Sequence, residues 1–176
     1  MERSEIENAS LEFIGVIHSP HTNPRGTPIQ PAYAGEHRGR VVLSPREGLS
    51  EALDDLEGFE RIWLIYWFHR AGPFKPHVVP YRDRHPHGLF ATRAPNRPNP
   101  IGLSVVRLLG RQGNVLTLGD VDILDGTPLV DIKPYVPEFD VRTPSKAGWL
   151  DARREDRRVA DDRFHDDDNG QIGEPR

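Results

Sequence analysis

The sequence predicts a mainly β domain that is rich in turns. Glycine and proline are plentiful, at 16 and 17 of 176 residues, and are scattered evenly along the chain, which favours a β architecture over a helical bundle. Residues 61–69, RIWLIYWFH, are dense in β-branched and aromatic types and predict a strand buried on both faces. Strand-helix alternation is absent and no G-x-G-x-x-G follows a predicted strand, so a Rossmann fold is not expected.

The remaining elements follow from turn signals and apolar patterning. The RQGN stretch at 111–114 favours a hairpin between two strands, and DGTP at 125–128 is a turn by composition. One short helix is expected at 50–56, with Ser50 as its N-cap and Gly58 as its end. Residues 71–87 are expected to form an exposed loop. Further strands are predicted at residues 11–17, 39–43, 103–108, 115–118, 121–124 and 129–132.

The length predicts one principal domain, expected at residues 1–145, with a charged extension at 146–176. We expect the extension to be helical from about residue 143 onward and then disordered over 166–176. The absence of cysteine excludes disulfides and thiolate chemistry. The opening MERSEIENAS has no apolar run and no stretch approaches a membrane span, so a soluble cytoplasmic protein is expected.

Charge is distributed unevenly. The net charge is −4, yet between Arg61 and Arg111 many basic residues are opposed by Asp83 alone. A phosphate backbone responds to such a local field rather than to the whole-chain sum. Arg82 and Arg84 are therefore candidate nucleic-acid contacts, and the alternative is ordinary solvated surface. The pair His85 and His87 suggests a metal site, but no third ligand stands at a recognisable spacing, so none is predicted.

The segment 88–103, GLFATRAPNRPNPIGL, is the strongest candidate for a binding loop. Its three prolines stiffen the backbone, which lowers the entropic cost of ordering Arg93 and Arg97 around an anion or planar ligand. Asn99 carries a donor and an acceptor that can pair with an adenine edge. The alternative is a proline-stiffened turn with solvated arginines.

The run FATRAPNRPNPIGLS closely resembles the signature of the TrmO/YaeB family of S-adenosylmethionine-dependent tRNA methyltransferases. The resemblance continues in the same order through most of residues 11–135. It includes IGVI followed by Ser-Pro, the Pro-x-Gln-Pro element at 28–31, the aromatic strand that ends at His69, and DGTP-x-x-DIKPY at 125–135.

This resemblance implies a single-sheet antiparallel β-barrel with a few short helices, working as a homodimer with its active site near the subunit interface. The implied cofactor is S-adenosyl-L-methionine, and the implied partner is tRNA. Arg97 is assigned to RNA phosphate together with Arg82 and Arg84. The residues that match the cofactor site of the family are Pro28, Gln30, His69, Arg93, Asn99, Leu103, Leu124, Asp125, Gly126 and Thr127.

The implied reaction is methyl transfer to the N6 nitrogen of threonylcarbamoyl-adenosine beside the tRNA anticodon. The acyl-type substituent makes the N6 proton easier to remove but the lone pair less nucleophilic, so we expect a base or an anion-stabilising group to assist the reaction. Asp131 and Tyr135 are candidates for removing that proton, and Lys133 or Arg97 for stabilising negative charge. Two alternatives remain open: a non-catalytic protein that senses S-adenosylmethionine or a nucleotide, and a metal-dependent hydrolase built on the loop histidines.

Overall fold

A computed structural model describes residues 10–152 and 155–165. Six strands close into an antiparallel barrel in the order β1-β2-β7-β6-β3-β8, and β4 pairs with β5 in a separate two-stranded sheet. The strands are β1 (Gly15–His18), β2 (Gly39–Leu43), β3 (Arg61–Trp67), β4 (His77–Val78), β5 (His87–Gly88), β6 (Ile101–Gln112), β7 (Val115–Gly119) and β8 (Thr127–Pro134). The prediction of a mainly β barrel is confirmed.

The barrel interior holds the main hydrophobic core. Alternate residues of β3 point inward, as the period of two in a strand requires, and Ile62 and Leu64 are fully buried. Val106, Leu116 and Leu129 reach the same core from β6, β7 and β8. The outward residues of β3, including Trp63 and Trp67, are half-buried. The prediction that this strand is buried on both faces is therefore only partly correct.

The hairpin prediction is confirmed, because β6 and β7 are joined by a turn in which Gly113 has a φ of +61°. The strand at 39–43 is also confirmed, and the strand expected at 129–132 is part of β8. The strand expected at 121–124 was wrong, since these residues form no ladder and run as a bent connection into β8. Its alternating buried residues, Val121 and Ile123, pack into the core without strand pairing.

The helix expected at 50–56 was wrong. The segment forms two short 3₁₀ turns, Glu51–Leu53 and Leu56–Gly58. Asp55 between them has a φ of +66°, a left-handed conformation that interrupts any continuous helix. Ser50 makes no capping hydrogen bond with its side chain.

The long connection from β3 to β6 is more ordered than an exposed loop. Its short sheet, β4 with β5, is followed by a 3₁₀ turn at Leu89–Ala91. Val78, Leu89, Ala94 and Phe164 form a second, smaller core beneath this connection, with Tyr81 packed against it. The proline-rich signature is thereby anchored to a packed base.

The helix predicted from about residue 143 onward is also largely absent. Among the described residues from 143 onward, one single-turn helix occurs, α2 (Trp149–Ala152), and another, α1 (Pro137–Asp140), lies just before them. Residues 155–165 form no helix; isolated bridges pair Pro28 with Val159 and Ala71 with His165, and a turn lies at residues 162–164. We call residues 155–165 the strap. The disorder expected at 166–176 lies outside the described residues.

No helix in the described ranges is long and apolar enough to cross a membrane.

Candidate functional site

A cavity of about 320 Å³ opens at one end of the barrel. Its walls come from the loop after β1, the end of β3, the proline-rich signature, the segment before β8, and the strap. These segments are far apart in sequence, and the closed barrel brings them together. Volume, mixed polar and apolar lining, and position at a barrel mouth are typical of a small-molecule site.

Most of the predicted cofactor residues line this cavity. Arg93 donates a hydrogen bond to Gln30 Oε1 across the cavity edge, which joins the signature to the Pro-x-Gln-Pro element. The Thr127 hydroxyl donates to the backbone oxygen of Leu124 at 2.7 Å and fixes the opposite wall. The predicted residues found in the lining are Pro28, Gln30, His69, Arg93, Leu103, Leu124 and Thr127.

Three predicted cofactor residues lie outside the cavity lining. Asn99 is exposed on the surface, and Gly126 occupies the turn before β8 with a φ of +77°. Asp125 faces the other side of that turn, where its Oδ1 accepts hydrogen bonds from the Ser19 amide and the His18 ring, both at 3.1 Å. Burial raises the pKa of Asp125, but these hydrogen bonds outweigh burial and the net pKa is lowered.

The three predicted catalytic residues lie on the exterior of the barrel. Asp131 and Lys133 form an ion pair of 2.8 Å with both side chains substantially exposed. The Tyr135 ring packs beside Trp63, with ring centroids 5.9 Å apart. A register shift in β8 opposite Ile65 accompanies the outward position of Asp131. Their catalytic assignment stays a prediction, and none of the three lines the cavity.

The arginines predicted to bind nucleic acid have contacts within the chain. Arg97 donates to the backbone oxygens of Thr92 and Ala94, at 3.1 and 3.3 Å, and stacks over Phe90. Arg82 donates to the Glu155 backbone oxygen at 2.9 Å. Arg84 forms an ion pair with the Glu155 carboxylate and remains highly exposed. The contacts of Arg97 order the signature loop, and those of Arg82 and Arg84 hold the strap.

A buried polar network that the sequence reasoning missed also belongs to the cavity. Ser104 Oγ donates to Asp122 Oδ1 at 2.8 Å, and Tyr66 Oη lies 3.1 Å from Ser104 Oγ. Tyr66 and Asp122 line the cavity. Burial raises the pKa of Asp122 to about 7, although the Ser104 hydrogen bond and the Arg93 charge oppose that rise. The sequence signal was a single acid within the apolar run VDIL.

Of the histidines that the sequence singled out, His69 lies in the cavity wall, whereas His85 and His87 lie around Asp83 outside the cavity lining. Partial burial lowers the pKa of His69, and the nearby charge of Arg70 lowers it further, which favours a neutral imidazole in the cavity wall. His85 and His87 contact the two carboxylate oxygens of Asp83 at 3.0 and 2.9 Å. Hydrogen bonds from these rings lower the pKa of Asp83. The described residues contain no group of three or more ligands arranged to hold a metal ion.

Together the closed barrel and the cavity at its mouth define a β-barrel protein with a small-molecule site built from loops. Residues 16–141 match the model of the tRNA-methyltransferase O N-terminal domain. Since the match spans most of the chain, the chain belongs to this family, TrmO. The resemblance stated from the signature is confirmed.

Relatives and solved structures agree with this assignment. A probable S-adenosyl-L-methionine-binding protein of Pyrococcus abyssi is 58% identical over 139 residues, which cover 78% of this chain and 74% of that protein. The tRNA (adenine(37)-N6)-methyltransferase of Escherichia coli is 40% identical over 75% of this chain and 60% of its own length. The crystal structure of TrmO from Pseudomonas aeruginosa superposes with a TM-score of 0.71 at 40% identity, covering 85% of this chain and 66% of that chain. The alignment with the Escherichia coli enzyme thus leaves more than a third of that enzyme unmatched.

Proposed function

We propose that this protein binds S-adenosyl-L-methionine in the barrel cavity and transfers its methyl group to N6 of threonylcarbamoyl-adenosine beside a tRNA anticodon. The observation that carries the proposal is the convergence of the family's separate motifs on one cavity. Gln30, His69, Arg93, Leu103 and Thr127 all stand in its wall.

The donor set fits a nucleoside that carries an amino-acid tail. The Arg93 guanidinium, oriented by Gln30, can donate two hydrogen bonds to a carboxylate. Ile101, Leu103 and Leu124 supply apolar surface for a purine. When bound, the cofactor supplies a methyl group activated by a positively charged sulfur. The chain then has to align the acceptor nitrogen with that methyl and exclude water.

The proposed acceptor is RNA, and an exposed aromatic-cation surface beside the cavity supports it. Phe90 is 77% exposed, and the Arg97 guanidinium lies 5.3 Å from its ring centroid. Exposed aromatics and guanidinium planes are the groups on which unpaired bases stack. Arg84 and Arg82 follow on the adjacent loop, where Arg84 is positioned to meet phosphate.

The proposed assembly is a homodimer formed through the barrel exterior. Phe13 is 45% exposed and packs beside the half-buried Trp67 with ring centroids 6.4 Å apart. Ile101 and Leu103, 40% and 52% exposed, continue this surface from Trp67 to the mouth of the cavity, which they also line. A contiguous apolar patch of this kind on a barrel wall favours burial against another protein surface. The second copy of the chain is the proposed occupant, because the ion pair of Asp131 and Lys133 lies on β8 next to β3, the strand that carries Trp67.

A charge placed in that patch tests the dimer. Phe13→Glu removes an exposed aromatic and adds a carboxylate, so we expect a monomer by sedimentation equilibrium where the parent protein is a dimer. Glu47→Gln, a change at a surface carboxylate outside the patch, is the control and should leave the mass unchanged. A parent protein that sediments as a monomer at tens of micromolar contradicts the assembly.

Calorimetry with S-adenosylmethionine, followed by methyl transfer to total tRNA, tests the activity. We expect Arg93→Ala to weaken cofactor binding by about 10-fold or more, since it removes a charge-assisted contact. Arg46→Ala, which breaks an exposed pair with Glu12, should bind normally. Binding without transfer to any tRNA would favour the alternative, a protein that only senses the cofactor. Absence of cofactor binding contradicts both functions.

A further inference from the structure

The cavity contains a carboxylate for which the family match assigns no role in this chain. Asp122 lies between Val121 and Ile123, which are 0% and 2% exposed and fix the backbone in the main core. The acid between them lines the cavity together with Arg93 and Leu124. The backbone of Asp122 is therefore held in place by the core, and its side chain faces the cavity in which a ligand would bind.

The hydrogen bonds around Asp122 orient it. A serine hydroxyl has one proton, and Ser104 directs it at Asp122 Oδ1 over 2.8 Å. The Tyr66 hydroxyl lies 3.1 Å from Ser104 Oγ and therefore has to donate its proton to Ser104 Oγ. Tyr66 thus donates to Ser104, and Ser104 donates to Asp122 Oδ1. No side chain of the described residues donates a hydrogen bond to Asp122 Oδ2, and the further hydrogen bond to this carboxylate comes from the backbone amide of Asp122 itself, so Oδ2 is the oxygen that faces no donor side chain.

Resting on the function proposed above, we propose that Asp122 accepts the proton of the target nitrogen during methyl transfer, while Ser104 and Tyr66 act as positioning residues. The N–H bond breaks as its proton passes to Asp122 Oδ2. The nitrogen forms a bond to the methyl carbon, and the carbon–sulfur pair remains on sulfur. One positive sulfonium and one negative carboxylate become a neutral thioether and a neutral acid, so charge balances.

Two properties of the site favour this role. Burial holds the pKa of Asp122 at about 7, and a general base is most effective when its pKa lies near the operating pH. The Arg93 charge and the Ser104 hydrogen bond lower the pKa of Asp122, which keeps an ionised fraction available at neutral pH. By contrast, the exterior candidate Asp131 is already paired with Lys133.

Single-turnover methylation of tRNA that carries threonylcarbamoyl-adenosine tests the inference across pH 5.5 to 9. We expect the rate of the parent protein to rise with pH through an inflection near the pKa of Asp122, about 7. Asp122→Asn should lower the plateau by about 10²-fold or more, while cofactor affinity from calorimetry stays within about threefold. Asp54→Asn, an exposed carboxylate that pairs with Arg111, is the matched control and should behave as the parent.

Ser104→Ala supplies a second readout in which the carboxylate remains. Loss of the hydrogen bond that favours the charged form raises the pKa of Asp122, so the inflection should move to higher pH while the plateau changes less. A purely structural role for Ser104 would lower the rate at every pH without moving the inflection. This variant decides the question if Asp122→Asn does not fold.

The outcomes separate the two proposals. If the parent protein methylates the tRNA and Asp122→Asn does so equally fast, the role of Asp122 is overturned and the proposed function stands. A loss of cofactor affinity that matches the loss of rate would make Asp122 a cofactor ligand and would equally overturn the proposal. A parent protein that binds the cofactor and transfers nothing overturns the proposed function, and the proton transfer with it.

Discussion

Gly102 stands where the cavity floor meets strand β6, directly opposite Tyr66 in β3. A Cβ at this position would lie 2.1 Å from the Tyr66 ring, and the ring is 4% exposed, so it has little room to move. The hydroxyl of that ring lies 3.1 Å from Ser104 Oγ. Only glycine at residue 102 therefore leaves room for the Tyr66 ring, which belongs to the buried polar network.

We predict that Gly102→Ala destabilises the protein by about 1–3 kcal/mol, as overpacking a close contact does, and also weakens cofactor binding by displacing Tyr66. Urea unfolding and calorimetry measure the two effects. Gly110→Ala in the same strand is the control, because no neighbouring atom lies within 4 Å of a Cβ at residue 110. Equal unfolding midpoints for the two variants would contradict the prediction.

Asp122 predicts a pH effect on stability that is separate from catalysis. Its pKa rises from 3.8 to about 7 on folding, so the stability it contributes is complete below pH 3.8 and is lost as pH rises through 7. A pKa rise of this size corresponds to about 4 kcal/mol of folding stability, and solvent in the open cavity screens part of it. As the pH rises from 4 to 8, the free energy of unfolding of Asp122→Asn should therefore increase by about 1–3 kcal/mol relative to that of the parent protein. Parallel stability curves would contradict this.

For single residues, the sequence predicts a place in the site when the residue belongs to a short, continuous motif. Gln30, Arg93 and Thr127 were predicted from the family signature and stand in the cavity lining. Asp122 was missed because its neighbours Val121 and Ile123 look like a continuing strand. Its position next to Ser104 depends on contacts between residues 18 positions apart, which no local pattern encodes.

The strap is the element whose structure departs most from expectation. Its mixed charge pattern predicted a helix, but its backbone pairs with two loops instead. Gly26 N donates to Ala160 O at 3.0 Å, Ala160 N to Thr27 O at 2.7 Å, and Gly72 N to Phe164 O at 3.1 Å. Phe164 adds an apolar anchor in the second core. These hydrogen bonds cross more than ninety positions, so helical periodicity was a poor guide.

We predict that the strap is part of the cofactor site. Ala160 and His165 line the cavity, and the strap holds the loop that carries Pro28. Truncation after Ala152 should weaken S-adenosylmethionine binding by about 10-fold or more, because the site loses a wall and its preorganisation. Truncation after His165 keeps the strap and is the control. Equal affinity of the two truncated proteins in calorimetry would contradict a binding role.

At the scale of the whole molecule, closure of the barrel creates the site. The hydrogen-bonded ladder from β1 to β8 joins the ends of the sheet and leaves no unpaired barrel edge. The order of the strands places the loops after β1 and β3 beside the signature. The family resemblance predicted this closure, whereas composition alone predicted only a β-rich, turn-rich domain.

The charge distribution was harder to predict at this scale. The basic stretch looked like a continuous phosphate-binding field, yet Arg61 and Arg107 pair with Asp120 and Arg111 pairs with Asp54. Their partners lie elsewhere in the sequence and become neighbours only in the fold. The surface that remains for RNA centres on the signature loop, with Phe90 and Arg97.

The most direct test of the proposed function is transfer of labelled methyl from S-adenosylmethionine to tRNA isolated with and without its threonylcarbamoyl modification, followed by nucleoside analysis. We predict label in a single product, methylated threonylcarbamoyl-adenosine, formed from the modified tRNA alone. If the cofactor binds but no label moves to either tRNA, or if unmodified tRNA is labelled equally well, the proposed reaction is contradicted.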